Sequence, residues 1–389
     1  MPVPRLLFVE HTGALGGAEL SLLDIAEAHR ESGTVALLED GPFRDALERR
    51  GVTVRVIEAG ASLRGVKKGS GLPGVSVLLA FGRAALRLRS AAHQRDVLYA
   101  NSPKSMLVSV MASIATRRRV VWHLRDILGR EHFSQMNIGL LTRIANRRVA
   151  RVIANSQATA DAFIASGGHA TLVRVVHNGL DAAPFDAVPP AAREAIRTGL
   201  GISASAFVIG SFSRLHPWKG QHVLLDAMAL LPDAHAIVVG GALFSGEAAY
   251  AAALSDRASR APLSGRVHML GARADVPELM SACDVIVHTS VLPEPFGRVL
   301  VEAMLARRPL VASDAGGVRE VVRRDRTGLL VAPGDAAALA QAVTGLRDDP
   351  ARSHAMVEAA AADARTRFTR EAMLAGVNAV LAELEEEPR

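Results

Sequence analysis

The sequence predicts an α/β protein built from two doubly wound parallel sheets, one after the other along the chain. Three observations support this fold class. Short apolar runs alternate with helical patterns in the N-terminal half, the alternation stops at Asp181–Pro190, and a second alternating series follows. Strand–helix alternation of this kind is typical of parallel sheets covered by helices. The two halves share an architecture but no fixed-period repeat.

The N-terminal half contains seven apolar runs with the length and composition of strands. They are Leu6–Val9, Val35–Leu38, Val52–Ile57, Val97–Ala100, Val120–His123, Val152–Ala154 and Val173–Val176. Helical patterns such as Ala18–His29 and Ser105–Ile114 lie between them. The stretch Asp181–Pro190 is rich in Pro and Ala, which is typical of a linker. We therefore expect one domain over residues 1–187 and a linker over residues 188–203.

A second series predicts another Rossmann-like domain over residues 204–368. Its strands are Phe207–Ser211, Ala236–Val239, Val267–Leu270, Val285–His288, Leu310–Ser313 and Leu329–Val331. The final segment, 369–389, contains an amphipathic pattern over Arg370–Leu384 and predicts a helix that packs back on either domain. In folds of this class, ligands bind at the carboxyl ends of the strands, between two domains that face each other.

Composition and charge narrow the function classes. The chain has 389 residues and one cysteine, Cys283, which excludes an internal disulfide and favours a reducing compartment. No apolar stretch reaches the roughly 18 residues of a spanning helix, and no signal peptide is visible. Residues 1–187 contain 24 of the 45 Lys+Arg but only 16 of the 39 Asp+Glu. We expect a cytoplasmic protein whose basic N-terminal half contacts phosphates or, at the inner face of the membrane, anionic lipid.

The segment from Glu294 to Glu302 places two carboxylates eight positions apart around a turn. Pro295 disfavours a helix at Glu294, and Gly297 permits a tight turn before a predicted helix over Arg298–Leu305. Backbone amides at such a helix start attract anions. Two interpretations stay open from these residues alone: a site that binds sugar or ribose hydroxyls, or a helix cap followed by a solvated carboxylate.

Two further segments follow the first strand of each half. Gly16 and Gly17 open a helix directly after the first strand, although the spacing is not the dinucleotide-binding G-x-G-x-x-G. Arg214 and Lys219 lie in a Pro-containing loop after Phe207–Ser211, where two cations suit a diphosphate. The alternatives are a plain strand–helix turn and two solvated loop cations.

Together these motifs resemble the family-4 retaining glycosyltransferases, which have the GT-B fold. The resemblance covers nearly the whole chain except Gly60–Arg95. It rests on motifs that occur in the family's order: Gly16-Gly17-Ala-Glu19, Ala154-Asn155-Ser156, His177-Asn178-Gly179, Arg214 with Lys219-Gly220, Gly271 to Asp284, Glu294-Pro-Phe-Gly297, Glu302-Ala-Met304, Gly316-Gly317-x-x-Glu320 and Thr327-Gly328.

The resemblance implies a role for each matching residue. Arg214 and Lys219 would neutralise the diphosphate of a nucleotide sugar, and Glu294 would contact its sugar. Glu302 would bind the ribose. The remaining donor contacts would come from backbone groups at Gly16, Gly17, Phe296, Gly297 and Arg298.

His123 resembles the family's active-site histidine, although a lone histidine at a strand end is more often structural. Arg125, Asn101 and Lys104 also follow strands and are candidates for the acceptor side. Asn155 and Ser156 are predicted to cap a helix.

The implied reaction is glycosyl transfer with retention at the anomeric carbon, from a donor of the UDP or GDP type. No Asp-x-Asp follows a strand, and no His/Cys spacing predicts a zinc site, so neither metal nor cofactor is implied. The acceptor classes are a cell-envelope glycan, a lipid-linked sugar or a small molecule. Two alternatives stay open: a nucleotide-sugar epimerase of the same fold, and a non-catalytic basic protein that binds membrane or polymer.

The segment between the third and fourth strands bears on the acceptor. Leu63–Lys68 and Val75–Arg89 combine leucines with Arg83, Arg87 and Arg89, which is compatible with a peripheral membrane helix. An ordinary surface helix packed on its sheet explains the pattern slightly better. Nucleic acid is a poor fit, because aromatic and basic residues do not interleave.

Overall fold

The computed structural model describes residues 4–57, 75–114, 116, 118–243 and 245–386, so Leu63–Lys68 lies outside the described residues. The chain divides into two compact units. Unit 1 comprises Met1–Gly179 with Arg370–Arg389, and unit 2 comprises Leu180–Thr369. None of the helices within the described ranges is both long and apolar enough to cross a membrane.

Unit 1 is built on a seven-stranded parallel sheet with the order β3-β2-β1-β4-β5-β6-β7. The strands are β1 (Leu6–Glu10), β2 (Gly33–Leu37), β3 (Val54–Val56), β4 (Val97–Ala100), β5 (Arg119–Leu124), β6 (Arg151–Ala154) and β7 (Val173–Val175). The helices are α1 (Gly17–Ala28), α2 (Pro42–Arg49), α3 (Val75–Ala91), α4 (Pro103–Ser113), α5 (Gln135–Arg148) and α6 (Gln157–Ala165). The sheet order reverses between β1 and β4, which places a switch point at their carboxyl ends.

Unit 2 repeats this architecture with six parallel strands in the order β10-β9-β8-β11-β12-β13. The strands are β8 (Phe207–Phe212), β9 (Ala234–Val239), β10 (Val267–Gly271), β11 (Val285–His288), β12 (Leu310–Ser313) and β13 (Leu329–Val331). The helices are α7 (Ala183–Asp186), α8 (Ala192–Gly199), α9 (Gln221–Ala229), α10 (Ala248–Ala258), α11 (Val276–Ser281), α12 (Arg298–Leu305), α13 (Val318–Val321), α14 (Ala336–Asp348) and α15 (Pro350–Arg367). Its switch point lies between β8 and β11.

All thirteen predicted strands are confirmed, with ends within two residues of the prediction. Both sheets are covered on both faces, which explains why their strands are continuous apolar runs. In unit 1, helices α3, α4, α5 and α6 bury one face of the sheet. Helices α1 and α2 bury the other face, together with α16 (Arg370–Glu386). Helix α16 is the predicted C-terminal helix, and it belongs to unit 1.

The predicted linker differs from the structure. Residues 188–203 lie inside unit 2, and the division between the units falls at Gly179, not at residue 187. The segment is fixed in unit 2 by Arg197 on α8, and this arginine is only 2% exposed. Its guanidinium donates to the backbone oxygens of Ala282 and Ala206 and forms an ion pair with Asp284. The Pro- and Ala-rich composition suggested a linker, but a buried arginine fixes the segment to the second sheet.

Candidate functional site

Arg214, Lys219 and Glu294 follow the two strands at the switch point of unit 2. Arg214 and Lys219 lie in the loop after β8, and Glu294 lies in the loop after β11. The Lys219 ammonium donates to both oxygens of the Glu294 carboxylate, at 2.8 and 2.7 Å. The structure therefore brings two of the predicted residues, which are 75 positions apart, into one buried ion pair.

Glu294 is held by two further side chains that the sequence analysis missed. The Ser290 hydroxyl donates to Oε2 at 2.9 Å, and His288 Nε2 lies 3.2 Å from the same oxygen. Burial on its own raises the pKa of Glu294, but Lys219 and His288 outweigh it and hold the pKa well below its usual range. The carboxylate is therefore ionised and already positioned as a hydrogen-bond acceptor.

The two cations of this loop each have a carboxylate partner. Burial lowers the pKa of Lys219, Glu294 opposes that change, and the nearby Arg214 charge lowers the pKa further. The Lys219 ammonium also lies 4.1 Å from the centre of the Trp218 ring, within cation–π range. Arg214 forms an ion pair of 3.1 Å with the buried Glu247. Whereas the sequence suggested two cations open to a diphosphate, the structure pairs Lys219 with Glu294 and Arg214 with Glu247.

The loop after β11 is fixed by close backbone contacts. A Cβ at Gly220, which has φ +70°, would lie 1.9 Å from the Thr289 backbone oxygen, so the two loops touch only because this residue is glycine. The Gly317 amide donates to the Glu294 backbone oxygen at 2.8 Å. Phe296 is buried and packs edge-on against Phe368, so its side chain anchors the loop in the core.

Helix α12 starts at the predicted turn. Gly297 precedes it with φ +85°, and no side chain caps the helix there. The first amides of α12 therefore keep the capacity to bind an anion. On the first turns of the helix, Arg298 Nε donates to Glu302 Oε1 at 3.0 Å. Glu302 is thus part of an i,i+4 ion pair.

A second buried polar network joins the carboxyl ends of β1, β4 and β5 in unit 1. The Asn101 amide donates to Glu10 at 2.7 Å. Arg125 donates to the side-chain oxygens of Asn101 and Asn178, at 2.6 and 2.7 Å. His11 lies 2.5 Å from the same Glu10 side chain. The candidates Asn101 and Arg125 are therefore neighbours, and Lys104 lies half-buried in the first turn of α4.

His123 belongs to this network and is fully buried. Its Nδ1 lies 2.6 Å from the Tyr99 hydroxyl and 3.2 Å from an Arg125 nitrogen. Burial, and then the Arg125 charge, lower the pKa of His123 far below its usual value, so the ring is neutral. Since both neighbours donate to Nδ1, we assign the proton to Nε2. Nε2 is buried and has no partner within the described ranges, which leaves it as a positioned donor.

The glycine segment after β1 also starts a helix, as predicted. Helix α1 begins at Gly17, and the Gly16 amide donates to Glu19 Oε2 at 3.0 Å. Glu19 is buried, and burial together with the charge of Glu10 raises its pKa to about 7. Further along α6, Ser156 accepts from the Thr159 amide, which confirms the predicted cap.

Glu19 makes protein stability depend on pH. Its folded-state pKa of about 7 lies above the unfolded value, so the folded state binds an extra proton between pH 4.5 and 7 and loses stability as pH rises. We expect Glu19→Gln to increase the free energy of unfolding by about 1–3 kcal/mol at pH 8 and to leave it nearly unchanged at pH 4.5. Urea unfolding at both values measures this, with the exposed Glu48→Gln as a control. An equal effect at both pH values would contradict it.

Two family models match the chain. Residues 192–363 match glycosyl transferases group 1, and residues 16–179 match a glycosyl transferase 4-like domain. The first match contains Arg214, Lys219, Glu294 and Glu302, and the second contains Gly16 and His123.

Solved structures extend this similarity to the whole chain. The crystal structure of HepE from Anabaena in complex with UDP-glucose has a TM-score of 0.89 and 40% identity, over 98% of this chain and 100% of that chain. A sucrose-phosphate synthase from Thermosynechococcus elongatus has a TM-score of 0.82 at 20% identity, over 98% of both chains, and supports the fold alone. The predicted class of two Rossmann-like parallel-sheet domains is confirmed.

Curated relatives match in part. A lipopolysaccharide core biosynthesis mannosyltransferase, LpsB from Rhizobium meliloti, is 30% identical over 203 residues, which are 49% of this chain and 57% of that protein. A D-inositol 3-phosphate glycosyltransferase from Mycolicibacterium gilvum is 34% identical over 191 residues, which are 46% of this chain and 40% of that protein. The matches thus span about half the length of these curated relatives.

Proposed function

The chain belongs to the group 1 glycosyltransferases, and on this premise we propose that it transfers a sugar from a nucleoside-diphosphate sugar to an acceptor, with retention at the anomeric carbon. The observation that carries the proposal is the buried, ionised Glu294 carboxylate, held by Lys219, Ser290 and His288 after β11. A relative with 40% identity is bound to UDP-glucose, which favours a UDP-linked hexose as the donor.

In this proposal Glu294 accepts hydrogen bonds from hydroxyl groups of the donor sugar. A carboxylate that is already desolvated and fixed needs little reorganisation when the sugar arrives. Lys219 has three N–H donors, and the contacts with the two oxygens of Glu294 use at most two of them. A guanidinium has five donors, more than the Glu247 carboxylate uses. Both side chains can therefore add a diphosphate contact without giving up their ion pairs.

The leaving diphosphate gains negative charge as the bond to the sugar breaks. Arg214, Lys219 and the first amides of α12, near Phe296, Gly297 and Arg298, would stabilise that charge. The leaving phosphate takes the acceptor proton. The nucleotide sugar is the co-substrate, and the proposal invokes no resident cofactor. Glu302 would accept from the ribose hydroxyls on the next turn of the helix.

For unit 1, we propose that His123 Nε2 donates a hydrogen bond to a substrate oxygen. The ring is neutral, its orientation is fixed by Tyr99 and Arg125, and the donor atom has no partner among the described residues. Gly16 and Gly17 would bring backbone close to the donor phosphates. Arg125, Asn101 and Lys104 would serve the acceptor.

The acceptor belongs, in this proposal, to cell-envelope or polysaccharide biosynthesis or is a small polyol. The names of the curated relatives, one acting on a lipopolysaccharide core and one on D-inositol 3-phosphate, support these two classes. Both classes offer a hydroxyl group as the nucleophile, and both include molecules that carry phosphate.

The proposal is tested by incubating the protein with radiolabelled UDP-glucose, GDP-mannose or ADP-glucose, with and without envelope glycolipid extract or inositol phosphates. We expect one donor to be consumed, with the sugar in a product of α configuration, as in the donor. Conversion of the donor to its epimer would identify an epimerase. Binding of every donor without turnover, under conditions that support a known glycosyltransferase, would overturn the enzyme assignment.

We further propose that one helix layer of unit 1 contacts an anionic lipid surface. Helices α3, α4, α5 and α6 contain seven Lys or Arg and one acidic residue, Asp161, whereas α1, α2 and α16 on the other face contain nine acidic and three basic residues. On α3, Leu78, Leu79 and Leu86 are 56%, 56% and 70% exposed. Arginines flank these exposed leucines. The same face of α3 can therefore insert leucine side chains into the membrane interface and attract anionic head groups.

The double variant Leu79→Glu/Leu86→Glu is expected to reduce binding to vesicles of phosphatidylcholine with 30% phosphatidylglycerol by about tenfold or more, since it removes apolar area and adds repulsion. Co-sedimentation measures the bound fraction. Leu230→Glu is the matched control, because Leu230 is an equally exposed leucine (57%) in unit 2. Unchanged binding in the double variant, or equal loss in the control, would contradict the lipid contact.

A further inference from the structure

Unit 1 has a cavity of about 340 Å³ that none of the carboxyl-end residues described above lines. Part of its lining, from Ser90 at the C-terminal end of α3 to Arg95, belongs to the segment Gly60–Arg95, to which the motif resemblance does not extend. Three arginines line it: Arg5 directly before β1, Arg55 on β3 and Arg95 directly before β4. None of the residues proposed for glycosyl transfer takes part in it.

The arginines are fixed to different degrees. Arg95 donates to the Ser32 backbone oxygen at 3.0 Å and to the Thr34 hydroxyl at 2.7 Å, so its guanidinium is anchored across β2. Arg5 donates to Asp96 at 3.4 Å, and this is a loose, half-exposed pair. Arg55 is exposed and has no carboxylate partner in the ranges the structure describes.

The local charge balance is therefore positive. Among the described residues, the ion pairs give these three guanidinium groups one carboxylate, Asp96, which pairs with Arg5. Burial lowers the pKa of Arg95, and the charges of Arg55 and Arg5, which line the same cavity, lower it further. A bound anion would balance the charges of the three arginines that line the cavity, and guanidinium groups suit phosphate because they can donate two parallel hydrogen bonds.

The remaining wall adds polar groups in an unusual backbone conformation. Gln94 has φ +63°, a left-handed conformation that is uncommon for a residue other than glycine, and it lines the cavity with His93 and Ser90. Such conformations are held against a local energy cost and occur often at ligand sites. The volume, moreover, lies in the usual range of small-ligand pockets.

We propose that this cavity binds a phosphate group, with Arg5, Arg55 and Arg95 as its ligands. The group belongs to a soluble phosphate ester or to a phospholipid head group, which reaches the same arginines at the end of α3. The site is independent of the proposed glycosyl transfer, because none of its lining residues belongs to the polar network of His123 and Asn101.

Equilibrium dialysis with radiolabelled inorganic phosphate, at constant ionic strength, tests the site directly. We expect the double variant Arg5→Ala/Arg55→Ala to bind phosphate at least tenfold more weakly than the unchanged protein. Arg49→Ala, which removes an exposed arginine of the same unit, should stay within twofold. Arg55→Ala alone repeats the test at an exposed position, where loss of folding is not expected.

Vesicles distinguish the two sources of phosphate. Two kinds of phosphatidylcholine vesicle are compared, one with 20% phosphatidic acid and one with 20% phosphatidylglycerol. The phosphate of phosphatidic acid is a monoester, whereas that of phosphatidylglycerol is a diester. Selective loss of phosphatidic acid binding in the double variant would identify a lipid head group. Loss of inorganic phosphate binding with unchanged vesicle binding would identify a soluble ester. Unchanged binding in both assays, or equal loss in Arg49→Ala, would overturn the site, whatever the outcome of the transfer assay.

Discussion

Glu294→Gln is expected to lower kcat/KM for glycosyl transfer by about 10²-fold or more. Glutamine keeps the size of the side chain but removes the charge that Lys219, Ser290 and His288 surround. The variant therefore loses a preorganised acceptor for the sugar and leaves the Lys219 charge without its partner. Initial rates with the donor identified in the screen measure the effect. Glu358→Gln, an exposed carboxylate paired with Arg307 on the surface of unit 2, should retain activity within twofold.

A double-mutant cycle separates the roles of Glu294 and Lys219. Because the two side chains form one unit, the combined Glu294→Gln/Lys219→Ala variant should lose less than the product of the two single effects. Independent effects that multiply would show that Lys219 acts on the diphosphate without help from Glu294. A Glu294→Gln variant with wild-type kcat/KM would remove the main support for the donor-sugar role.

Asp284→Asn is expected to lower the free energy of unfolding of unit 2 by about 3–5 kcal/mol, since it removes the partner of a buried charge. Asp284 accepts from Arg193 at 2.5 Å, from Arg197 at 2.8 Å and from the Val208 amide at 2.7 Å. Arg197 is almost fully buried, so water cannot replace the lost carboxylate. Urea unfolding measures the change, followed by fluorescence in a Trp122→Phe background, in which Trp218 of unit 2 is the one remaining tryptophan.

The control for this prediction is Asp226→Asn. Asp226 also pairs with an arginine, Arg257, but both side chains are more than 40% exposed. Surface pairs of this kind contribute about 0–1 kcal/mol, so the control should change stability little. If Asp284→Asn destabilised the protein no more than Asp226→Asn, the segment from residue 188 to 203 would not be held by the Arg197 ion pair.

The strands and the Glu294 turn were predictable because each depends on local sequence. Apolar β-branched runs mark buried parallel strands, and Pro295 with Gly297 marks the turn before α12. The family resemblance, confirmed by the matching models and structures, added roles that local sequence left open. Those residue roles remain predictions for the variants above.

The partners of the site residues were not predictable, because they depend on the order of the strands in the sheet. Glu10 and Asn101 are 91 positions apart, and their side chains form a hydrogen bond because β4 lies beside β1 in the sheet. His288 and Ser290 are ordinary polar residues at a strand end, and only the path of the loop returns Glu294 to them. The linker was wrong for a related reason: composition does not show that Arg197 will be buried.

The position of helix α16 at the end of the sequence affects the order in which the two units can fold during synthesis. It contributes Met373, Val377 and Leu381 to the core of unit 1, and Arg370 pairs with Glu27 at 2.6 Å. The ribosome must therefore synthesise all of unit 2 before unit 1 can cover the apolar surface beneath α1 and β1. Unit 2, which is continuous in sequence, can finish folding first, while the first 179 residues wait for their last helix. Newly made unit 1 is thus the part of the chain most exposed to aggregation and to chaperones.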